Sequence, residues 1–437
     1  MRRLVLALSF ALCACNPSPG NETDGKPDYG AHPTIVAPSA GAIPTLNEAR
    51  AIGWHGNAKP VAPAGFAVSA FASHLSHPRW LYLLPNGDVM VAQSSSEEQT
   101  TGGVTGWIRN DIQRNAGAID AGPGSLVLLR DANGDGVAET RSVYAQNLHQ
   151  PFGMALLNGW LYVGNTDALL RYRFTPGDTH AQAPPETIIA LPHHDGDNGH
   201  WTRNVVVRPD GQKLYVSVGS SSNIADYGID VEKDRAAIWE INPDGSAKRI
   251  LASGLRNPNG MDFEPTTGTL WTVGNERDML GDQVPPDYLT SVRDGGFYGW
   301  PYSYWGQHVD TRVNPQRPDL VRSAIVPDYA LGAHSAALGL TFYRAQTFPA
   351  HYRGGAFIGE HGSWNRAQRS GYKVVFVPFA NGHPNGDPED FLTGFLTAQG
   401  EAQGRPVGVA VDRTGALLVA DDVGGVIWRV APTSRNR

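Results

Sequence analysis

The same short pattern occurs six times along this chain: an apolar segment, a turn rich in Pro, Asn, Asp and Gly, and a second apolar segment ending in small residues. β-Branched and aromatic residues on both sides of a glycine turn are typical of a β-hairpin, because glycine adopts positive φ without a steric penalty. The six copies lie at residues 79–93, 152–165, 204–220, 260–275, 338–362 and 407–422. Their turn glycines are Gly87, Gly159, Gly211, Gly268, Gly355 and Gly415.

These turn glycines recur at intervals of 52 to 87 residues. Each interval holds one four-stranded blade of about 40–50 residues and a connecting loop. Long apolar stretches of helical period are nearly absent. The sequence therefore predicts an all-β fold, a six-bladed β-propeller of four-stranded antiparallel blades over residues 61–432. A strand at 66–72 is expected to pair with 425–430, because joining the two chain ends in one sheet removes an exposed edge.

The first fifteen residues have the pattern of a bacterial export signal. Two arginines precede an apolar stretch at 4–12 that is too short to span a bilayer. The stretch ends in the letters LCAC, which resemble a lipobox, so residues 1–15 are predicted to be a lipoprotein signal with Cys15 as the lipidated residue. An ordinary signal peptide cleaved near Ala14 is the alternative.

The following segment, residues 16–60, is rich in Pro, Gly, Asn, Ala and Ser and has little periodicity. This composition predicts a flexible tether with one short helix around 45–52. Asn16 is not the aspartate that commonly retains lipoproteins at the inner membrane. We therefore expect an exported lipoprotein that faces the periplasm, anchored at the outer rather than the inner membrane.

The densest polar cluster is HHDGDNGHWTRN at 193–204, directly before the third repeat. A zinc site is one interpretation of its three histidines, but His193 and His194 are adjacent and no ligand spacing is recognisable. A general base is the second interpretation, with Asp197 orienting a histidine. A solvated loop with one histidine bonded to nearby backbone is the third.

Two further motifs, GLRNPNG at 254–260 and GGFYGWP at 295–301, make the pattern more specific. Together with 199–220, they resemble the soluble sugar dehydrogenases that use pyrroloquinoline quinone (PQQ), and in particular the L-sorbosone dehydrogenase-like group. The similarity runs from about residue 65 to 430. It implies oxidation of a sugar, an aldose or a sorbosone-like aldehyde, by base-assisted hydride transfer to the quinone, with Ca²⁺ as a second cofactor.

The resemblance also implies site residues. His200 would be the general base, and Arg256 would lie beside the quinone oxygens. Further cofactor contacts are implied at Gln150, Asn257, His361 and Arg405. Residues 275–278 would bind calcium largely through backbone carbonyls, with Glu276 and Arg277 as the candidate metal residues. An ion pair between these two side chains is the alternative.

The chemistry explains these residue types. PQQ is a flat tricarboxylic ortho-quinone, so its binding site needs cations around the rim of the ring. The planar fork of arginine matches a carboxylate in two-point fashion. A base would remove the hydroxyl proton of the sugar, and cations would stabilise the negative charge that develops on the quinone oxygen.

Two positions depart from the glucose-oxidising relatives. Residues 201–204 replace a glycine-rich stretch after the base, and Ser220 stands where those relatives have an aspartate. Both changes affect the expected pocket wall, so the particular sugar is not carried over. The chain has no CxxCH haem motif. Electrons are therefore expected to pass to an external acceptor, a quinone or cytochrome c.

Other functions were weighed against this one. The net charge of −7 and the lack of basic runs argue against nucleic-acid binding. A metal-dependent six-bladed hydrolase of the gluconolactonase type would need carboxylate, Asn or His side chains converging on the axis. A non-catalytic propeller would not explain why these motifs all fall at blade ends.

Two weaker features remain. DANGDG at 131–136 resembles the start of a calcium loop through Asp131, Asn133 and Asp135, but Ser142 stands where a bidentate glutamate is needed. A hairpin turn between outer strands is the preferred interpretation. The aromatic run at 297–305 is expected either to stack against a sugar or to form a packed loop over the propeller mouth.

Overall fold

The computed structural model describes residues 28–39, 45–98, 110–119 apart from residue 112, 124–194 and 198–433. These residues form six four-stranded antiparallel sheets, and each sheet is one blade of a ring. The prediction of an all-β, six-bladed propeller is therefore confirmed. The predicted signal with Cys15, and Asp197, lie outside the described residues.

The blades follow one another along the chain, and each begins with the strand nearest the axis. Blade 1 comprises Pro78–Leu83, Val89–Gln93, Gly124–Arg130 and Thr140–Leu148. Blade 2 comprises Met154–Leu157, Trp160–Gly164, Ala168–Arg173 and Glu186–Ala190. Blade 3 comprises Val205–Val207, Leu214–Val218, Ala237–Ile241 and Arg249–Ser253.

The second half of the ring has the same order. Blade 4 comprises Asn257–Phe263, Leu270–Asn275, Pro286–Ser291 and Tyr329–Ala333. Blade 5 comprises Ala337–Phe342, Ala356–Glu360, Lys373–Val377 and Glu389–Leu392. Blade 6 comprises Pro406–Val411, Leu417–Asp421, Val426–Pro432 and, from the start of the chain, Phe66–Ala72.

Few elements lie outside the blades. Tyr29–Gly30 extends blade 4 and Gly296–Phe297 extends blade 3. Two small hairpins pair Ser303–Tyr304 with His308–Val309 and Phe379–Ala380 with His383–Pro384. Among the described residues, helical structure comprises an α-helix at Pro318–Ser323, 3-10 turns at Ile229–Glu232 and Ala350–Tyr352, and the helical residues 110, 111 and 113–115. Among the described residues, no helix is long and apolar enough to cross a membrane.

The six predicted hairpins are the first two strands of the six blades, and their inner strands contact one another in ring order. Gly87 and Gly415 have φ of 91° and 86°, as expected for these turns. In blade 5 the prediction was one residue off, because Gly354 has the positive φ of 79°. Gly355 is needed for space instead: a Cβ there would lie 2.3 Å from the ring of Phe376.

The ring closes as predicted by pairing the two ends of the domain. Phe66–Ala72 runs antiparallel to Val426–Pro432, and Val68 lies opposite Val430. Aromatic side chains of blades 5 and 6 pack closely across this region. The ring centroids of Phe66 and Phe348 are 4.7 Å apart. Closure and aromatic packing together fix the loops that emerge from the blades.

The described part of the predicted tether lies along the propeller. Arg369 donates to the Asn47 carbonyl at 3.0 Å, and the Trp54 indole donates to Asp421 at 2.6 Å. The short helix expected around 45–52 is not formed, and the segment has no regular structure apart from a β-bridge between Ala51 and Ala402. The physical reason is that its polar groups bond to the propeller rather than to one another.

Candidate functional site

The implied site residues lie at one end of the ring, which we call the mouth. In every blade the first strand begins and the second strand ends at this end, because the two strands are antiparallel. Gln150, His200, Arg256 and Arg405 precede first strands, Asn257 opens one, and His361 and Glu276 follow second strands. Sequence reasoning therefore placed these residues at the same end of the fold.

His200 is oriented by the loop that follows the second strand of blade 3. Its Nδ1 lies 2.8 Å from the Ser220 hydroxyl and 3.1 Å from the Ser220 carbonyl. The neighbouring Gly219 permits this approach, because a Cβ there would lie 2.6 Å from the Cβ of His200. The ring of His200 is therefore held against blade 3.

Arg256 is buried on the blade 4 side of the mouth. All five N–H donors of its guanidinium group are used within the protein. They bond to two oxygens of Asn223, to the carbonyls of Asn275 and Glu276, and to Asp278 at 2.9 Å. Arg256 therefore contributes a fixed positive charge to the mouth rather than a spare hydrogen-bond donor.

Asn257 adjoins Arg256 and keeps one unused acceptor. Its Nδ2 donates to Oδ1 of Asn275 at 3.0 Å. Its Oδ1 is buried and has no hydrogen-bond partner among the described residues. A Cβ on Gly219 would lie 2.7 Å from this oxygen, so it points to the blade 3 side near His200. A ligand donor would satisfy it.

The segment 275–278 does not fit a calcium ion as it stands. The carbonyls of Asn275 and Glu276 accept from Arg256, and the carbonyl of Asp278 accepts from Arg277. Two guanidinium groups thus contact the oxygens that a calcium ion would use. Calcium binding through these carbonyls would require Arg256 to move.

The side chains of Glu276 and Arg277 point into the protein. The Glu276 carboxylate accepts from the backbone N–H groups of Arg277 and Trp305. Burial raises the pKa of Glu276 to about 7. Arg277 pairs with Asp310 instead of Glu276, so the alternative of a Glu276–Arg277 ion pair is not formed.

Sequence reasoning missed Asp278, although it belongs to the same motif. Its carboxylate pairs with Arg256 and accepts from Asn365 at 3.0 Å. Burial acts to raise the pKa of Asp278, but Arg256, His334 and His200 outweigh burial and hold that pKa below its usual range. Asp278 is therefore an ionised carboxylate in the mouth.

A second group of charged residues, here called the cation cluster, comprises Arg79, His361, Arg405 and Asp422. His361 Nε2 lies 2.9 Å from Asp422, and Arg79 lies 3.2 Å from the same carboxylate. Burial lowers the pKa of His361; Asp422 opposes this, and Arg405 and Arg79 act in the same direction as burial. The cluster therefore holds two buried arginines and one buried carboxylate, with a net positive charge.

The two arginines of the cation cluster have unused donors. The Nε atoms of Arg79 and Arg405 are buried and have no hydrogen-bond partner among the described residues. Arg405 donates from Nη2 to the Ala49 carbonyl at 3.2 Å and lies over the ring of Tyr372. Unpartnered buried donors are costly, so this cluster is suited to an anionic ligand. Sequence reasoning found His361 and Arg405 but missed Arg79 and Asp422.

The base of the mouth is apolar. Trp201, Phe152, Leu338 and Val407 come from different blades and belong to one buried cluster. Arg79 lies over the Trp201 ring at 5.4 Å, and Trp201 contacts Phe152 edge to face. Trp201, noted in the sequence only as a departure, thus joins the cation cluster to the apolar base.

Three other features of the sequence analysis can be located in the structure. Gln150 donates to the Ser95 carbonyl at 3.0 Å, on the blade 1 side of the mouth. The aromatic run at 297–305 forms a packed loop, since its Tyr and Trp side chains are buried. The 131–136 turn lies between the outer strands of blade 1, at the end opposite the mouth.

The turn at 131–136 also groups three carboxylates. Oxygens of Asp131, Asp135 and Glu139 lie within 4.8 Å of one another. Glu139, not Ser142, completes this group. Asp131 accepts from the N–H groups of Gly134 and Gly136, as in an ordinary turn.

Glu360, the last residue of the second strand of blade 5, is buried. Burial raises the pKa of Glu360 to about 8, partly offset by Lys373. Because the pKa of Glu360 is higher in the folded state, its contribution to the free energy of unfolding depends on pH. This contribution is fully present below the unfolded pKa near 4.5 and is lost as pH rises to about 8.

We therefore expect Glu360→Gln to gain stability over the wild type as pH rises from 4.5 to 9, by a few kcal/mol at about 1.4 kcal/mol per pKa unit. Thermal melts across this range measure the gain. Glu186→Gln, at an exposed position, is the control and should show no such trend. A pH-independent difference for Glu360→Gln would contradict the buried, protonated state.

Comparison with known proteins agrees with the fold. Residues 159–364 match the family model "Glucose / Sorbosone dehydrogenase", and residues 316–433 match the model "TrAA12-like". An uncharacterised protein of Borreliella burgdorferi is 30% identical over 306 residues, 67% of this chain and 79% of that protein. An aldose sugar dehydrogenase of Escherichia coli is 28% identical over 143 residues, 32% of this chain and 36% of that enzyme.

A solved structure shows the same architecture. The holo form of the PQQ domain of pyranose dehydrogenase from Coprinopsis cinerea superposes with a TM-score of 0.68 at 20% identity. The match covers 87% of this chain and 98% of that domain. The fold is thus a six-bladed propeller of the kind found in that domain. The chain belongs to the glucose/sorbosone dehydrogenase family, a family of oxidoreductases.

Proposed function

We propose that the protein is a PQQ-dependent sugar dehydrogenase that oxidises an aldose or a sorbosone-like aldehyde. The observation that carries the proposal is the pairing of an oriented imidazole, His200, with a buried cation cluster at the same end of the ring. The first group suits proton removal from a hydroxyl, and the second suits a polyanion.

The hydrogen-bond donors of the cation cluster are chemically suited to the carboxylates of the quinone. PQQ carries three carboxylates, and the Nε donors of Arg79 and Arg405 have no partner among the described residues. Arg79, His361 and Arg405 would hold its acidic rim, with Trp201 beneath Arg79. When bound, the quinone supplies the redox chemistry by accepting the hydride.

The protein residues supply the proton transfer and the electrostatic field. His200 would take the hydroxyl proton of the sugar at Nε2, since its Nδ1 is committed to Ser220. The guanidinium group of Arg256 need not move during the reaction to provide its positive charge, because all of its N–H donors are bonded within the protein. Such preorganised charge is worth more in a buried site than in water.

The hydrolase alternative has less support. Among the described residues, the one group of three His, Cys, Asp or Glu side chains close enough to hold a metal is Asp131, Asp135 and Glu139. That group is at the opposite end from the mouth. A gluconolactonase-type reaction needs its metal ligands over the axis, where the described residues form no such group of three.

The proposal also covers the electron acceptor and the cellular location of the protein. We propose an external electron acceptor, a quinone or cytochrome c, because the sequence has no haem motif. We also propose export and lipid anchoring at Cys15, from the signal pattern alone.

The experiment is reconstitution of the purified apoprotein with PQQ, assayed with a dye acceptor across a broad panel of aldoses and with L-sorbosone. Dye reduction should depend on both quinone and sugar. Activity without quinone, or none with any sugar tested, would overturn the proposal. Arms with added calcium and with a chelator test calcium separately.

A further inference from the structure

We infer that Ser220 is the positioning residue of His200, fixing its tautomer through a neutral hydrogen bond. The inference rests on the proposed role of His200 as the base. It assigns a function to the position at which this chain departs from the aspartate of its glucose-oxidising relatives.

The hydrogen-bond network defines which partner donates. The Ser220 hydroxyl donates its own hydrogen to the Ser222 carbonyl at 2.7 Å. Its oxygen can then only accept from Nδ1 of His200, at 2.8 Å. The Ser220 carbonyl, 3.1 Å from the same nitrogen, is also an acceptor. Nδ1 must therefore carry the hydrogen, and the lone pair of the neutral imidazole is on Nε2.

Ser220 is itself held in place. It is fully buried, and its N–H donates to the Arg256 carbonyl at 2.8 Å. The next two residues of the loop donate to the buried Glu232 carboxylate, Ser221 N–H at 2.8 Å and Ser222 N–H at 3.2 Å. Glu232 thus holds in place the residue Ser222, whose carbonyl accepts the hydrogen of the Ser220 hydroxyl. The acceptor for His200 is a rigid part of blade 3.

The charged groups around His200 are mostly positive. Arg203 donates to the His200 carbonyl at 2.7 Å, and Arg235 contacts the carbonyl of the adjacent Gly219. Arg256 lies on the next blade, and Asp278 is the carboxylate whose ionisation His200 influences. A neutral hydroxyl on Nδ1 adds no negative charge to this set. A carboxylate there would favour the imidazolium, which cannot act as a base.

The test compares Ser220→Ala, Ser220→Thr and Ser220→Asp in quinone-loaded protein. We expect Ser220→Ala to lower kcat about tenfold, the value of one lost hydrogen bond, while KM and quinone affinity stay unchanged. The loss is limited because the Ser220 carbonyl remains as an acceptor. Ser220→Thr should restore kcat to within about threefold. Ser246→Ala, in an exposed turn of the same blade, is the matched control.

The pH dependence of kcat/KM distinguishes a positioning role of Ser220 from a merely structural one. Ser220→Asp should shift the acidic limb of kcat/KM upward by about one pH unit or more, because a carboxylate stabilises the imidazolium. An unshifted limb would overturn the inference. If Ser220→Ala does not fold, this variant and Ser220→Thr decide the question.

A readout without turnover uses ¹⁵N NMR of histidine-labelled apoprotein. The chain has 14 histidines, and the His200 signal is identified by its loss in His200→Gln. The wild type should show the Nδ1–H tautomer, and Ser220→Ala a mixture. A wild-type Nε2–H tautomer, or unchanged tautomer and kcat in Ser220→Ala, would overturn the inference. Full turnover by His200→Gln would instead overturn the proposed base.

Discussion

The His200→Gln variant is expected to lose about 10²–10⁴-fold in kcat, the usual contribution of a general base. Glutamine has a similar length and can still bond to Ser220, but it cannot take a proton. Stopped assays with a dye acceptor measure the loss, and titration of the apoprotein with PQQ should give an unchanged affinity, since His200 is not part of the cation cluster.

The matched control for this variant is His351→Gln. His351 is exposed and bonds to Glu389 on the outer strand of blade 5, so its loss should leave kcat within error. A His200→Gln enzyme within about threefold of wild type would show that another group accepts the proton. Loss of PQQ binding instead would mean that His200 holds the cofactor.

The second large effect is expected for Arg405→Met, which should weaken PQQ binding by about 10–100-fold. A hydrogen bond to a charged group contributes about 1.5–3 kcal/mol, and each 1.4 kcal/mol is a factor of ten. Arg405 is the cleaner of the two arginines to change. Its guanidinium contacts the Ala49 carbonyl and the ring of Tyr372, whereas Arg79 also neutralises the buried Asp422.

Equilibrium titration of the apoprotein measures this change, with a thermal melt to check folding. Arg405→Lys keeps the charge but loses the planar fork, so it should recover part of the affinity. Arg322→Met, in the exposed last turn of the helix Pro318–Ser323, is the control. Wild-type affinity in Arg405→Met would contradict the assignment of the cation cluster to the cofactor.

The fold could be predicted because its signals are local. Each blade begins with a hairpin whose apolar alternation and turn are contained in about twenty residues. Even ring closure was predictable, since the strand at 66–72 has a suitable neighbour at the other end of the domain. Only the turn of blade 5 was misplaced, where two adjacent glycines, Gly354 and Gly355, serve different purposes.

The site was only partly predictable, because the residues that sequence reasoning missed depend on contacts between segments far apart in the sequence. Arg79 stands in an apolar inner strand, and its partner Asp422 follows a strand of blade 6. An arginine within such a strand is a signal that could have been used, since a buried guanidinium needs a partner. Trp54 in the supposed tether was a similar signal, explained here by its bond to Asp421.

The central claim is that the mouth seats a quinone within reach of a sugar and a base. It is tested most directly by mixing the PQQ-loaded protein with an aldose in a stopped-flow spectrometer, without any electron acceptor. The account predicts that one equivalent of bound quinone is reduced, with a rate that falls at least a hundredfold in His200→Gln. Failure of PQQ to bind, or a bound quinone that stays oxidised with every sugar tested, would contradict it.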